Sequence, residues 1–254
     1  MHRILAMTGA ALAVALPAAF GQTQAAPQRP ATQSEVPQQQ QPAPAQQVDP
    51  LLAALQGLQV AILENGQGGV ASVESEAGEK AIIAFMTPQA AEIQRQNTDD
   101  DQMMVSIIDM PTVLANWNGA VIFRTSAEEV AKAKELDPAT QTYLSPVFFV
   151  MNGDIEAAMQ TRQGIITPIL TSYSDAESMA QKLEASGAAA DAVEIVPIEF
   201  AALLQAISEQ ETDTGYRVFT HPTTIAVINE MRAQEAATAQ SGQEGPPPAP
   251  GNGG

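Results

Sequence analysis

The side chains that most often carry enzyme chemistry are scarce in this sequence. Its 254 residues contain no cysteine and only two histidines, His2 and His221. The lack of cysteine excludes disulfides, thiol nucleophiles and the common Cys/His zinc sites. A serine triad would have to use His221, but no serine lies in a GxSxG motif. We therefore predict that His221 is a turn residue between a strand and a helix.

Carboxylates are plentiful, and a pair of them could in principle hydrolyse glycosides. Sugar clefts usually need aromatic platforms as well, yet aromatic residues make up 4% of the chain and Trp117 is its only tryptophan. The acidic run Asn97–Asp101 lacks the ligand spacing of a helix-loop-helix calcium site. We therefore predict that the protein is not an enzyme and binds no metal or cofactor. A hydrolase that uses acidic residues remains a distant third possibility.

The charge balance also limits the classes of partner. The chain has 29 acidic and 11 basic residues, a formal net charge of −18, and no cluster of lysine or arginine. Nucleic acids and anionic lipid surfaces are polyanions that such a protein repels on average. The sequence therefore predicts neither nucleic-acid binding nor electrostatic membrane binding.

The first 25 residues have the pattern of a secretory signal peptide. A basic start precedes an apolar run over 4–20, and small residues follow at two possible cleavage points. The alternative of a membrane anchor is disfavoured, because the apolar run is short and contains a glycine and a proline. We expect a periplasmic protein without integral membrane association once residues 1–25 are removed.

Two low-complexity segments flank the predicted folded region. Residues 26–48 consist almost entirely of Gln, Pro and Ala, and residues 236–254 are rich in Pro and Gly. Segments with so few large apolar residues cannot offset the entropy of ordering. The sequence therefore predicts a disordered tether before the fold and a disordered tail after it.

Between these ends, the elements that would position any site occur twice. The stretch Val193–Leu204 (VEIVPIEFAALL) has a fainter copy at Val105–Leu114 (VSIIDMPTVL), and each is typical of a strand, a break and a helix. Three flanking pairs repeat in the same order at a spacing of roughly 90 residues, which is too long for a solenoid unit. The pairs are Val60–Gly66 with Val147–Gly153, Ile82–Gln94 with Ile169–Leu183, and Val121–Ala133 with Val218–Glu230.

This repetition predicts an α/β fold made of two tandem copies of one module. The first copy is expected over 49–138 and the second over 139–235, with the helix breaker Asp137-Pro138 at the boundary. Two helices carry capping-box patterns, one from Ser126 to Glu129 and one from Ser174 to Glu177.

Flexible apolar side chains are the remaining unusual feature. Eight methionines are spread over both copies, mostly near strand ends and helix starts, and methionine adapts its shape to irregular partners. Most of them are expected to fill cores, and a few to line a groove. The candidate client-binding residues are Phe85, Met86, Phe148, Phe149, Met151 and Phe200.

Several short motifs of the second copy occur together in a known family. They are Pro146–Val150, Ser174-Asp175-Ala176-Glu177, Val196-Pro197-Ile198 with Phe200, Leu203 and Leu204 behind it, and Val218-Phe219 before a helix headed by proline. Over about 51–232 the chain resembles the Tic family's twenty-two kilodalton component, the intermembrane-space protein of chloroplast import, and its bacterial periplasmic relatives.

That resemblance implies the arrangement and the role of the protein. It implies duplicated α/β modules about a pseudo-two-fold axis, with apolar pockets on the faces. It also implies a chaperone-like factor, not an enzyme, that accompanies precursors and contacts outer-membrane assembly machinery. The chain departs from the family pattern in its tether and tail, and in having Asp109 where the second copy has Pro197.

We therefore predict a periplasmic protein that binds unfolded or extended apolar segments, with outer-membrane precursors as clients. Client side chains would be buried in shallow apolar pockets, while the acidic surface keeps the complex soluble. The alternative is a non-catalytic envelope scaffold that docks one fixed protein partner.

Overall fold

Strands and helices alternate along nearly the whole folded region, which confirms the predicted mixed α/β class. The computed structural model describes residues 49–74, 78–98, 100, 102–140, 142–162 and 164–241. The described residues belong to one compact unit. The elements are α1 (Pro50–Leu55), β1 (Gln59–Glu64), β2 (Ser72–Glu74), β3 (Lys80–Phe85), α2 (Pro88–Gln96), β4 (Met104–Asp109), α3 (Met110–Asn116), β5 (Ala120–Arg124), α4 (Ala127–Leu136), β6 (Pro146–Asn152), β7 (Ile155–Glu156), β8 (Met159–Thr161), β9 (Gly164–Leu170), α5 (Tyr173–Ala185), β10 (Val193–Glu199), α6 (Phe200–Ser208), β11 (Tyr216–Phe219) and α7 (Pro222–Ser241).

The strands form two sheets with matching pairings. In the first sheet β4 and β1 are antiparallel, β1 and β3 are antiparallel, and β3 and β5 are parallel. The second sheet has the same pattern: β10 and β6 are antiparallel, β6 and β9 are antiparallel, and β9 and β11 are parallel. The short strand β2 adds to β3, and β7 and β8 add to β6 and β9.

Successive strand residues point to opposite faces, and both faces of each sheet are covered. In β1, Val60 and Ile62 lie in a central core, whereas Ala61 and Leu63 lie in a second core on the other face. The central core takes residues from both sheets, including Phe123 and Phe200, whose ring centroids are 4.8 Å apart in an edge-to-face contact. Because β1, β3 and β6 are buried on both faces, these strands have continuous apolar runs and not an alternating pattern.

The final helix of each half packs on the sheet of the other half. Helix α4 follows β5 of the first sheet but contacts β6 and β10 of the second sheet. Helix α7 follows β11 of the second sheet but contacts β1 and α2. The hydroxyl of Thr224 on α7 donates to the carbonyl of Met86 at 2.9 Å. The two halves are therefore joined by exchanged helices as well as by the shared core.

Two predicted helix boundaries were wrong. Helix α5 begins at Tyr173, so the predicted capping box from Ser174 is absent, and the Ser174 hydroxyl instead bonds to that of Ser172 at 2.8 Å. Ser172 is buried beside the end of β9, so the helix starts as soon as the strand ends. Helix α7 continues to Ser241, past the predicted start of the tail at 236, because its last residues are good helix formers such as alanine and glutamine.

The predicted signal peptide (1–25), the tether (26–48) and the tail beyond 241 lie outside the described residues. Within the described part of the chain, no helix combines the length and apolarity needed to cross a membrane.

Candidate client-binding surface

The six side chains predicted to bind a client do not share a surface. Phe148 and Phe200 are 0% exposed, Met86 is 1% exposed, and Phe85 and Phe149 are each 3% exposed. Phe85 lies beneath α2, Phe148 lies beneath α5, and the others contribute to the central core. Met151 is partly buried against that core. Their role in client binding stays a prediction, and in this structure an incoming chain would find five of them enclosed.

A groove lies beside α7 on the described surface, and we call it the α7 groove. Its volume is about 860 Å³, and strands of both sheets contribute to its walls. The apolar walls consist of Ile107, Ile166, Phe219, Ile225, Ile228 and Met231, and polar groups including Arg217, Asn229, Arg232 and Glu235 line the rest. An apolar surface with a few polar groups is typical of a binding site.

A smaller groove of about 410 Å³ lies on the other side of α7, between this helix and α2. Val105, Ile107, Val227 and Met231 give it apolar walls. Ile107 and Met231 also line the α7 groove, so the two grooves meet along β4 and α7.

Two further grooves occupy matching places on the two sheets. One, of about 360 Å³, lies between α2 and the ends of β3 and β5, where Phe85 pairs with Arg124. The other, of about 410 Å³, lies between α5 and the ends of β9 and β11, where Leu170 pairs with Phe219. The second groove is the more apolar, because Phe219 takes the place that Arg124 has in the first.

Sequence reasoning missed most of the residues that line the α7 groove. The spacing of Ile225, Ile228 and Met231 on one side of a helix could have indicated an apolar stripe on α7. Ile107 and Phe219 carried no sequence signal of exposure, because each lies in a short apolar strand whose residues alternate between the two faces of a sheet. Their exposure depends on which neighbouring element leaves the strand end open.

A buried polar network connects the starts of three helices near these grooves. The Glu129 carboxylate of α4 accepts the Tyr173 N–H of α5 at 2.8 Å. Its other oxygen lies 3.2 Å from His221 Nε2, while His221 Nδ1 accepts the Thr223 N–H at 3.2 Å. Because the Glu129 carboxylate only accepts hydrogen bonds, the His221 Nε2–H is the donor of this hydrogen bond. Glu129 and His221 are both buried, so this network fixes α4, from the first half of the chain, to the starts of α5 and α7 in the second half.

This network corrects part of the sequence interpretation. The Ser126 hydroxyl caps α4 by accepting the Glu129 N–H at 3.4 Å, as the capping box requires. The Glu129 side chain does not return to Ser126 but bonds to Tyr173 and His221. His221 does precede a helix, as predicted, but it is a buried hydrogen-bonding partner and more than a simple turn residue.

Asp175 lies beside the network and in the wall of the groove between α5 and the ends of β9 and β11. Burial raises the pKa of the Asp175 carboxyl above its ordinary value of 3.8; nearby His221 and Lys182 lower this pKa, and Glu129 raises it. The folded state therefore binds the proton more tightly than the unfolded state does. Ionisation of Asp175 therefore lowers the free energy of unfolding. This loss is absent below the ordinary pKa and is complete once the pH exceeds the raised pKa of the folded state.

Asp175→Asn is accordingly expected to gain stability relative to the wild type as the pH increases. The difference in the free energy of unfolding, variant minus wild type, should be larger at about pH 7 than at about pH 3, because asparagine stays neutral. Urea denaturation at the two pH values measures this difference. Ser178→Ala, which changes an uncharged residue of the same groove, is the control. A difference that decreases with pH for Asp175→Asn would contradict the prediction.

The geometry of the fold can be compared with known proteins. No family model and no curated relative matches the sequence. Among solved structures, Anabaena Tic22, described as a protein of protein transport, superposes with a TM-score of 0.54 at 13% identity, over 71% of this chain and 95% of that one. Tic22 from Plasmodium falciparum superposes with a TM-score of 0.55 at 12% identity, over 73% of this chain and 98% of that one.

Each superposition extends over nearly the full length of the other protein and requires both sheets of this one. The fold expected from the motifs of the second copy is thereby confirmed. The described part of this chain has a Tic22-like fold.

Proposed function

We propose that this protein is a non-enzymatic, chaperone-like factor that binds unfolded or extended apolar segments of precursor proteins. The observation that carries the proposal is the α7 groove, an open groove of about 860 Å³ with both apolar and polar walls, on a strongly acidic chain. The fold it shares with Anabaena Tic22, a protein described under protein transport, supports the same direction.

The chemistry of the groove suits clients of varied sequence. Ile225 and Met231 are 46% and 49% exposed although they are large and apolar. A client side chain that covers them removes apolar surface from water, which is favourable and not directional. Methionine at the junction of two grooves can adapt to different shapes. The net charge of −18 favours solubility of the complex through electrostatic repulsion between copies.

The proposal also includes the duplication of the α/β module and the cellular location of the protein. The matching pairings of the two sheets support two tandem copies of one module, related by a pseudo-two-fold axis. The signal-peptide pattern over 1–25 supports a periplasmic location, where outer-membrane precursors pass in an unfolded state.

The decisive experiment is suppression of aggregation. The mature protein, from Ala26 onward, is expected to suppress aggregation of an outer-membrane porin diluted from urea, at stoichiometric amounts. The double variant Ile225→Ser/Met231→Ser should lose most of this activity, because it removes two exposed apolar walls of the α7 groove. Light scattering measures aggregation, and urea denaturation shows that the variant is folded.

Ile155→Ser is the matched control for this experiment. Ile155 is 73% exposed and lines none of the grooves described above. If exposed apolar area alone were responsible, this substitution would weaken suppression to a comparable extent, because Ile155 exposes 73% of its surface and the two groove residues 46% and 49% of theirs. Equal loss in both proteins, or full activity in the groove variant, would contradict binding in the α7 groove.

The second candidate is a non-catalytic envelope scaffold that docks a fixed partner, such as outer-membrane assembly machinery. The observation in its favour is the final part of α7, where residues 231–239 are all exposed. An isolated helix of this kind is only marginally stable in water, so a partner along it would stabilise it. Failure of the wild-type protein to suppress aggregation at any ratio would favour this scaffold over the chaperone.

A further inference from the structure

An unpaired strand edge runs beside the α7 groove. In the described part of the chain β4 pairs only with β1. The Met110 N–H donates to the Leu58 carbonyl at 2.8 Å, which sets the alternation along this antiparallel pair. Ser106 and Ile108 therefore bond to β1, whereas Val105 and Ile107 direct their N–H and C=O groups away from it. These outward groups have no backbone partner among the described residues.

The corresponding edge of the second sheet is blocked. Strand β10 pairs with β6 as β4 pairs with β1, and the Phe200 N–H donates to the Ser145 carbonyl at 3.0 Å. In this register Asp109 and Glu199 occupy equivalent places, so the structural counterpart of Pro197 is Ile107. The sequence comparison of the two copies had paired Pro197 with Asp109, and that pairing was wrong. Proline has no N–H, and so the central outward donor of β10 is missing.

The other properties of β4 also leave its edge open. Natural edge strands are usually protected by charged residues, proline or bulges. From Met104 to Ile108 the strand contains none of the charged residues or prolines that protect β10, where Glu194 and Pro197 occur. Val105, Ser106 and Ile107 are each partly exposed, so no described element fully covers the edge.

We propose that β4 binds an extended apolar peptide segment by strand addition. The outward N–H and C=O groups of Val105 and Ile107 would pair with the client backbone, and alternate client side chains would enter the grooves that meet at Ile107. An extended chain is the occupant that this edge selects over a helix, because the backbone groups of a helix are already paired internally, whereas those of an extended unfolded segment are free. The inference rests on the proposed function and specifies how the client is held.

Ile107→Pro tests the backbone contribution. The substitution removes one outward N–H without removing a bond to β1, and Pro197 shows that the equivalent strand position of this fold accepts proline. Ile107→Ala is the matched variant, since it shortens the side chain and keeps the N–H. The probe is a fluorescein-labelled nonapeptide of alternating valine and threonine, with affinity measured by fluorescence anisotropy. We expect about ten-fold weaker binding for Ile107→Pro and about two-fold for Ile107→Ala.

A modified peptide gives the same information without changing the protein. Methylation of every second amide nitrogen removes the donors of one peptide edge but keeps all side chains, and should weaken binding to the wild type about ten-fold.

In NMR exchange experiments, the Val105 and Ile107 amides should exchange more slowly when the unmodified peptide binds, while the Ile195 amide of β10 should not change.

The outcomes separate this inference from the proposed function. Suppression of aggregation by the wild type, with equal peptide affinity in Ile107→Pro and Ile107→Ala, would overturn strand addition and leave the chaperone proposal intact. A wild type that neither suppresses aggregation nor binds the peptide would overturn both. If Ile107→Pro instead dissociates a dimer and the peptide does not compete, the edge belongs to a second copy and the inference is wrong.

Discussion

Replacing Phe200 with alanine is expected to lower the free energy of unfolding by about 3–5 kcal/mol. Phe200 is 0% exposed and begins α6 in the central core. Its ring meets that of Phe123, on β5 of the other sheet, at a centroid distance of 4.8 Å and an interplanar angle of 75°. The substitution would leave a cavity between two sheets, each fixed by its own backbone pairings, so the surrounding residues could not easily close it.

Urea denaturation, followed by circular dichroism, measures this loss. Phe219→Ala is the matched control, because Phe219 ends β11 and is 36% exposed. It should cost less than about 1.5 kcal/mol, since less apolar area returns to water and no enclosed cavity forms. Similar losses for the two phenylalanines would show that the central core is not the main source of stability.

Replacing Glu129 with alanine is expected to cost about 2–4 kcal/mol. The carboxylate accepts the Tyr173 N–H at 2.8 Å and lies 3.2 Å from His221 Nε2, and its removal would leave one buried donor and one partly buried donor without an acceptor. Because α4 brings this carboxylate from the first half of the chain, the loss should also weaken the attachment of α4 to the second sheet. Urea denaturation at neutral pH measures the effect.

Glu128→Ala is the control for this prediction, since Glu128 is the preceding residue of the same helix and is exposed. It should change stability by no more than about 0.5 kcal/mol. A double-mutant cycle with His221→Ala should give a coupling energy between about 0.5 and 3 kcal/mol. A coupling near zero would mean that Glu129 acts only through Tyr173.

The buried network also explains why His221 was difficult to interpret in the sequence. Its immediate neighbours, Thr220 and Pro222, are typical of a turn, and a turn is indeed where it lies. Its buried partner Glu129 is 92 residues away in the chain. A hydrogen bond over that separation leaves no local pattern, so only the tertiary structure, which brings the starts of α4, α5 and α7 together, reveals it.

The tandem pattern of the sequence predicted the elements well. The strand, break and helix expected at 105–114 and again at 193–204 are present, since β4 runs directly into α3 and β10 runs directly into α6. These elements were predictable because β-branched runs, prolines and capping residues act through the local backbone. The α/β class follows from the same local signals.

The client-binding surface was not predictable in this way. The aromatic and methionine side chains of the strands were the predicted candidates, but five of the six are enclosed because α2, α5 and the central core between the sheets cover both sides of the strands. The accessible walls come instead from Ile225 and Met231 on α7 and from Ile107 on β4. A strand residue has the same local pattern whether its face is covered or open.

The sequence by itself thus determined where strands and helices form, since those choices depend on residues a few positions apart. Only the tertiary structure decided which helix covers which sheet, which strand edge stays unpaired, and that Ile107 and not Asp109 is the counterpart of Pro197. Those features depend on hydrogen bonds and packing between residues distant in the chain, and their free energy exists only once both halves have come together.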